Sequence, residues 1–212
     1  MSEENSEELK AILIGDSGVG KTNLINTSVG IQFIEYGNPT ISGSFVSKNI
    51  EVNDKKFVVN IWDTAGQEAY KGVTKLFFKG SQIVILVYDI VSPNSLQSLK
   101  EWAKISEEII ECDHIYGVVG NKNDLYLNAK VNEEEVKEFA ESLKTNYKLV
   151  SAKTDPQSFV DYLTELVQRF KKIGGNDTEE KKKDTVKLSD KSNNNKKSGC
   201  CLKKKVKVNQ IN

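Results

Sequence analysis

Residues 9–22 read Leu-Lys-Ala-Ile-Leu-Ile-Gly-Asp-Ser-Gly-Val-Gly-Lys-Thr. The apolar run 9–14 predicts a buried strand, and the eight residues after it match the pattern G-x-x-x-x-G-K-[ST]. Glycines at these positions let the backbone curl into a nest of N–H groups at a helix N-terminus, which suits phosphate. The stretch therefore predicts a phosphate-binding loop between a strand and a helix, in preference to an ordinary glycine-rich turn.

A loop of this kind holds the phosphates of a nucleotide through its backbone and two side chains. Lys21 is expected to reach the β- and γ-phosphates and is one of two candidate catalytic residues. The Thr22 hydroxyl is expected to ligate Mg²⁺, with phosphate oxygens, waters and a second side chain completing the coordination. The predicted nucleotide contacts of the loop are Asp16, Ser17, Gly18, Val19, Gly20, Lys21 and Thr22.

The composition is that of one folded domain with a polar tail. The chain has 212 residues, 38% of them apolar, and a formal net charge of zero, so nothing in the total charge favours nucleic-acid binding. Its three cysteines fit neither a disulfide framework nor zinc-ligand spacing, which favours a reducing setting. The acidic start lacks an apolar run, and no stretch approaches the roughly 20 apolar residues of a membrane span. We therefore expect a cytoplasmic protein.

Short apolar runs alternate with helical patterns through the first 173 residues. Strands are predicted at 9–14, 57–62, 83–88, 115–119 and 149–150. Helical spacing of apolar residues predicts helices at 96–109, at 136–143 behind an Asn132–Glu135 capping pattern, and at 159–170 with Gly174 and Gly175 as the stop. This alternation predicts an α/β fold with a mainly parallel sheet, helices on both faces and ligands at the carboxyl ends of the strands.

Asn121-Lys-Asn-Asp124 follows the strand predicted at 115–119 and indicates which base is bound. A carboxylate at Asp124 can accept from both guanine N1–H and the exocyclic amino group, whereas a buried carboxylate facing adenine would meet a lone pair. Ser151-Ala-Lys153 could supply a backbone N–H to the guanine carbonyl and aliphatic support for the ring. In isolation the first motif reads equally well as a solvated polar turn, but its order and spacing after the loop favour guanine. Nucleotide contacts are predicted for Asn121, Lys122, Asp124, Ser151, Ala152 and Lys153.

Asp63-Thr-Ala-Gly-Gln67 follows the strand predicted at 57–62 and supplies groups that could sense and remove a terminal phosphate. Asp63 can hold Mg²⁺ through water, and the Gly66 N–H can contact the γ-phosphate. Gln67, the second candidate catalytic residue, can orient an attacking water. Thr40 could add a hydroxyl to Mg²⁺ and its backbone to the same phosphate, so that loss of the phosphate would release its loop.

These residues resemble the Ras-like small GTPases, and within them the Rab family, over about residues 9–173. The matching segments are the phosphate-binding loop, Thr40, WDTAGQE at 62–68, FFKG at 77–80, LVYDI at 86–90, NKND at 121–124 and SAK at 151–153. The resemblance implies a six-stranded Ras-like P-loop GTPase domain that binds GTP or GDP with Mg²⁺ and regulates vesicle traffic on the cytosolic face of intracellular membranes. It implies an exchange factor, a GTPase-activating protein, effectors and a prenyl escort or GDI as partners.

Four aromatic residues take their expected roles from this resemblance. Phe33 stands where the family places an aromatic ring against guanine. Phe45, Trp62 and Phe77 match an exposed triad that reports the nucleotide state to effectors. Spacing alone favours core packing for these three, because aromatic side chains are usually buried. The resemblance favours an effector surface instead.

Two residues depart from the family's usual pattern near the switch segments. Ser42 replaces a glycine, which affects effector choice and loop mobility, and Ala69 replaces a common arginine. The only arginine of the chain is Arg169, in the last predicted helix. We therefore expect slow intrinsic hydrolysis, roughly 10⁻⁴ per second, accelerated by a partner that donates an arginine.

The residues beyond the predicted domain form a basic tail. The expected division is an acidic extension at 1–8, the GTPase domain at 9–173 and a disordered tail at 174–212. Cys200 and Cys201 resemble the family's prenylated pair, but eleven residues follow them, whereas prenylation signals are read at the chain end. Seven lysines without an acidic residue from Lys191 onward favour an anionic membrane surface over a merely solvated tail.

Two other functions remain open from the sequence, and a third conflicts with it. A nucleotide-binding switch or scaffold with negligible turnover would keep the same motifs, and Ser42 and Ala69 motivate it. A soluble GTPase without a lipid anchor would differ only in the tail. An adenine-dependent P-loop phosphotransferase conflicts with Asn121 and Asp124, because their groups match guanine.

Overall fold

A central sheet organises the structure, a computed structural model that describes residues 6–38, 40, 44–64 and 77–180, with side chains up to residue 173. Within these residues the sheet has six strands: β1 Glu7–Ile14, β2 Ser44–Val52, β3 Lys55–Asp63, β4 Ile83–Asp89, β5 Ile115–Asn121 and β6 Tyr147–Leu149. Their order is β2-β3-β1-β4-β5-β6. Among the pairs that these described strands form, only β2–β3 is antiparallel. The predicted α/β fold with a mainly parallel sheet is confirmed.

Helices cover both faces of this sheet. They are α1 Lys21–Ser28, α2 Pro93–Ile109, α3 Glu133–Ser142 and α4 Pro156–Glu180, with a 3₁₀ segment at Asn123–Asn128. One core packs α1 and α4 against the sheet, and the other packs α2 and α3 against the opposite face. The central strand β4 contributes alternate residues to the two cores and is buried along its whole length. This explains its uninterrupted apolar sequence, because each side chain faces an apolar layer.

The edges of the sheet differ most from the sequence prediction. Strand β2 is absent from the sequence prediction, because its residues SFVSKNIEV are mostly exposed or half-buried. Its buried residues are Ile50 and Val52, near the end of the strand. The last strand covers Tyr147–Leu149, whereas the prediction placed it at 149–150. Both are edge strands, with partners on one side only, so a continuous apolar run is not required of them. Strand β1 begins at Glu7, two residues before the expected domain start.

The ends of the helices give one confirmation and one correction. The Asn132 side chain accepts a hydrogen bond from the Glu134 N–H at 2.9 Å, which confirms the predicted cap of α3. Helix α4 does not stop at Gly174 and Gly175, since it continues to Glu180. Glycine costs about 1 kcal/mol in a helix but keeps its N–H, so it weakens a helix without ending it. Across the part of the chain that the structure describes, no helix combines the length and apolarity required to cross a membrane.

Candidate functional site

A cleft lies at the edge of the sheet where the parallel strands β1, β3, β4 and β5 end. It has two adjoining cavities of about 320 and 270 Å³. Gly18, Gly20, Asn23 and Glu35 line both cavities. Together the two cavities fall within the range of small-molecule sites, and such sites in α/β sheets lie at the carboxyl ends of strands. The cleft therefore has the place and size expected for a nucleotide.

The loop between β1 and α1 depends on glycine at two close contacts. Gly15 has a φ of 150°, and a Cβ there would lie 2.1 Å from the carbonyl oxygen of Val87. Gly20 has a φ of 95°, and a Cβ there would lie 2.3 Å from Asn121 Nδ2. Any side chain would therefore push the loop away from β4 and β5. This packing fixes the distance between the loop and the ends of those strands.

Lys21 is almost fully buried beneath this loop. Its Nζ donates to the carbonyl oxygens of Gly15 and Asp16, each at 2.8 Å. Burial lowers its pKa from 10.5 to about 8, although the charges of Asp63 and Asp16 act in the opposite direction. The ammonium group thus lies at the phosphate end of the cleft, where an added anion would favour its charged form.

The shift in this pKa predicts how stability depends on pH. The unfolded chain holds more protons than the folded one between the folded pKa of about 8 and the unfolded value of 10.5. Raising the pH through this window should therefore stabilise the nucleotide-free protein by up to about 3 kcal/mol through this group. We expect this rise in the free energy of urea unfolding relative to the Lys21→Met variant. If the difference in unfolding free energy between the two proteins stayed constant across this pH window, the buried position of the Lys21 ammonium group would be contradicted.

Three oxygen-bearing side chains meet beside Lys21. Thr22 Oγ1 lies 2.8 Å from Thr40 Oγ1 and 2.7 Å from Asp63 Oδ2. Thr40 Oγ1 and Asp63 Oδ2 are 3.5 Å apart. The second carboxylate oxygen, Asp63 Oδ1, is buried and has no hydrogen-bond partner among the described residues. Burial raises the pKa of Asp63, with the Thr22 hydrogen bond and the Lys21 charge acting against this shift.

This oxygen set fits Mg²⁺. Hydroxyl and carboxylate oxygens are the ligands that this ion prefers, and it usually completes its shell with waters and substrate phosphates. The unpaired Asp63 Oδ1 is an acceptor that a coordinated water could satisfy. In the described part of the chain, no group of three His, Cys, Asp or Glu side chains is arranged for a metal. The ion would therefore depend on the phosphates for the rest of its coordination.

The other end of the cleft is formed by residues after β5 and β6. The Asp124 carboxylate accepts from Ser151 Oγ at 2.6 Å, and Ser151 Oγ in turn accepts from the backbone N–H groups of Lys153 and Thr154. These bonds orient the carboxylate toward the cavity that Asp124 lines. The side chain is exposed, which corrects the sequence-based assumption of a buried carboxylate. Burial at this position would have to come from the bound base.

Asn121 connects the two ends of the cleft. Its Nδ2 donates to the Val19 carbonyl oxygen at 2.9 Å, and its Oδ1 accepts from the Ala152 N–H at 3.2 Å. The side chain is buried, so both bonds are shielded from water. The Ala152 N–H, which the sequence analysis assigns with its neighbours to the guanine carbonyl, thus already has a protein partner. Asn121 positions the phosphate loop relative to residues 151–153.

Lys122 pairs with Asp89, which is not among the predicted site residues. Its Nζ lies 2.6 Å from Asp89 Oδ2 at the end of β4. Asp89 also accepts from the Val91 N–H at 3.0 Å, and its side chain is almost fully buried. Asp89 pairs with Asn121 in the β4–β5 register, which places its carboxylate beside the ammonium group of the next residue, Lys122. This contact depends on strand register, which no local motif encodes.

The segment 31–38 closes one side of the cleft through two contacts. The Asn23 side chain exchanges two hydrogen bonds with the Ile34 backbone, at 2.8 and 3.1 Å. Glu35 Oε1 lies 2.9 Å from Lys153 Nζ, which is also 5.9 Å from the centre of the Phe33 ring. Phe33 and Lys153 thus lie together at the end of the cleft that Asp124 also lines. Asn23 and Glu35 were missed because polar surface residues of this kind carry no spacing signal.

Phe45, Trp62 and Phe77 form one aromatic cluster on the outside of the sheet. Their ring centroids are 5.0 Å apart for the first pair and 5.5 Å for the second. Phe45 is 54% exposed, whereas Trp62 and Phe77 are half-buried against the second core. Lys10 Nζ lies 4.9 Å from the Trp62 ring centre. The cluster is therefore neither wholly core nor wholly surface.

Some residues named in the sequence prediction lie outside the described part of the chain, and Arg169 lies away from the cleft. Gly66, Gln67, Cys200 and Cys201 lie outside the described residues, as do Ser42 and Ala69. Arg169 contacts the segment 144–146, with hydrogen bonds to the Lys144 carbonyl and to the side chains of Thr145 and Asn146. Those groups precede β6 and do not line the cleft.

The described fold and cleft define a P-loop nucleotide-binding domain. The family model described as Ras family matches residues 10–172. Ras-related protein Rab-2B of Dictyostelium discoideum is 39% identical over 167 residues, which cover 79% of this chain and 83% of that protein. Ras-related protein Rab-11C of the same organism is 38% identical over 84% of this chain and 82% of its own length. Ras-related protein Rab5 of Nicotiana tabacum is 36% identical, with coverages of 71% and 75%. The chain belongs to the Rab family of Ras-like small GTPases.

Proposed function

We propose that this protein is a switch that binds GTP and GDP with Mg²⁺, hydrolyses GTP slowly and regulates vesicle traffic. The observation that carries the proposal is the two-ended cleft. Lys21 and the oxygens of Thr22, Thr40 and Asp63 lie at one end, and the Asp124 carboxylate lies at the other. A guanine nucleotide presents anionic phosphates and a donor-bearing base edge at its two ends, so each end of the cleft has a matching group.

Lys21 and Gln67 would have different roles in hydrolysis. Lys21 would stabilise charge on the β- and γ-phosphates, and Gln67 would orient the attacking water. Mg²⁺, when bound, supplies neutralisation of the phosphate charge. Since Arg169 is the only arginine and is held by residues 144–146, the missing transition-state cation would come from a GTPase-activating partner.

The output of the switch would be read from its surface. The segment 31–38 is held to α1 by Asn23 and to residue 153 by Glu35, so its position can respond to what the cleft contains. Phe45 of the aromatic cluster is exposed for an effector. An exchange factor would act on the same segment to release the nucleotide.

Membrane attachment would come from the residues beyond the described part. We infer that Cys200 or Cys201 carries a lipid, with an escort protein or GDI handling it, and that the lysines after residue 190 contact anionic lipid on the cytosolic face. Intact and peptide mass spectrometry of protein from its own cells tests this. Isoprenoid or acyl mass on either cysteine supports an anchored switch, whereas free thiols on a full-length chain favour a GTPase without a lipid anchor.

Hydrolysis itself is tested by single-turnover phosphate release from bound GTP. We expect roughly 10⁻⁴ per second for the natural protein and at least about tenfold less for Gln67→Leu, because the water loses its positioning group. A rate above about 10⁻² per second, which is typical of GTPases with their own arginine, would contradict the need for a partner. Equal and negligible rates for the two proteins would favour the second candidate, a nucleotide-binding scaffold, which Ser42 and Ala69 motivate.

A further inference from the structure

Helix α2 makes a direct polar contact with the phosphate loop. The indole Nε1 of Trp102 lies 3.2 Å from Asp16 Oδ1. Trp102 is only 4% exposed and belongs to the core between α2 and the sheet. In the sequence, Trp102 stands among the apolar residues that form the packed face of α2. Its N–H, however, is directed at a loop residue rather than into the core.

Asp16 occupies an unusual electrostatic position. It lies in a loop whose proposed ligand is a polyphosphate, and its own carbonyl oxygen accepts from Lys21 Nζ at 2.8 Å. A free carboxylate beside bound phosphates would repel them, because like charges at short range are unfavourable. Its neighbours Ser17 and Gly18 line the cleft, whereas Asp16 does not. The indole thus holds the carboxylate outside the cleft.

We propose that Trp102 is a positioning residue for the phosphate site, acting through Asp16. Indole N–H is a donor only, so it can hold a carboxylate but cannot exchange roles with it. Core packing fixes the ring, and the ring fixes Asp16, whose carbonyl in turn holds Lys21. The inference rests on the proposed nucleotide binding and adds a residue to it that no phosphate-binding motif contains.

Trp102→Phe tests this role, because it keeps an aromatic ring in the core and removes the indole N–H. The smaller ring also loses some packing, and the second change below separates that effect from the loss of the donor. We expect the Kd for fluorescent GDP, obtained from association and dissociation rates on the full chain with Mg²⁺, to rise about tenfold. Adding Asp16→Asn to this variant should restore the Kd to within about threefold of the natural protein. A neutral amide does not repel the phosphates, whereas a merely structural defect from Trp102→Phe would not be repaired by this second change.

Tyr116→Phe provides the matched control. It removes the hydrogen bond between Tyr116 OH and Ser106 Oγ of α2, which is also buried and measures 2.9 Å. It should lower thermal stability while leaving the Kd for GDP unchanged. Asp16→Asn alone is the reference for the double variant, because its amide oxygen can still accept from the indole.

Absence of GDP binding by the natural protein would contradict the proposed function itself. GDP binding by the natural protein with an equal Kd for folded Trp102→Phe would overturn the role of Trp102 alone. A raised Kd that Asp16→Asn does not restore would likewise overturn it, since the effect would not pass through the carboxylate.

Discussion

Asp124→Ala is expected to lower the affinity for GDP by about 10² to 10⁴-fold. The carboxylate would accept two hydrogen bonds from guanine, and a hydrogen bond to a charged group contributes about 1.5–3 kcal/mol. Ser151 already orients the carboxylate at 2.6 Å, so little reorganisation is needed on binding. The measurement is the Kd from fluorescent-nucleotide kinetics, with circular dichroism to establish that the variant is folded.

Inosine diphosphate makes this prediction sharper, because it lacks only the exocyclic amino group. The natural protein should bind GDP at least about tenfold more tightly than inosine diphosphate, and Asp124→Ala should bind the two nearly equally. Asp161→Ala is the matched control, since it removes an exposed carboxylate on α4 that bonds Gln157 outside the cleft. An unchanged preference for GDP in Asp124→Ala would show that another group reads the base.

Asn121→Ala is expected to lower the free energy of unfolding by about 2–6 kcal/mol. It would leave the Val19 carbonyl and the Ala152 N–H buried without partners, at a cost of about 1–3 kcal/mol for each. Such a loss is a large part of the 5–15 kcal/mol that usually stabilises a domain. Urea unfolding of the nucleotide-free protein measures it directly and avoids the added effect of weaker nucleotide binding.

Asn132→Ala is the control for this loss of stability. It also removes an asparagine that bonds the backbone, since the Asn132 side chain accepts from the Glu134 N–H. This asparagine is an exposed helix cap, so the expected loss is only about 1 kcal/mol. We expect Asn121→Ala to exceed it at least twofold. Similar losses for the two variants would mean that Asn121 does not connect the phosphate loop to residues 151–153 in solution.

The sequence predicts the parts of this site that are formed by consecutive residues. The phosphate loop follows a buried strand, and its glycines are required by close backbone contacts, so the motif and the geometry coincide. The same holds for the residues after β5, since a parallel sheet brings its strand ends to one edge. The sequence also carries a signal for the β2–β3 hairpin in Asn53-Asp54. Both residues have positive φ, a conformation that asparagine and aspartate tolerate in a tight two-residue turn between strands.

Contacts between distant segments could not be predicted in this way. Trp102 with Asp16, Glu35 with Lys153 and Asp89 with Lys122 each join residues whose neighbours in sequence carry no shared pattern. Their positions follow from helix packing and strand register, which are set by the whole core. Helix α4 also shows the limit of local rules. Its core-packed face between Phe159 and Phe170 stabilises the helix, and the two glycines that follow do not end it.

The central claim is that the cleft holds a guanine nucleotide. Its most direct test is to purify the full chain with Mg²⁺ and without added nucleotide, release any ligand by heat denaturation and identify it by chromatography and mass spectrometry. We expect about one mole of GDP or GTP per mole of protein, which excess GDP displaces and excess ATP does not. An adenine nucleotide, or an empty protein that fails to bind added GDP, would contradict it.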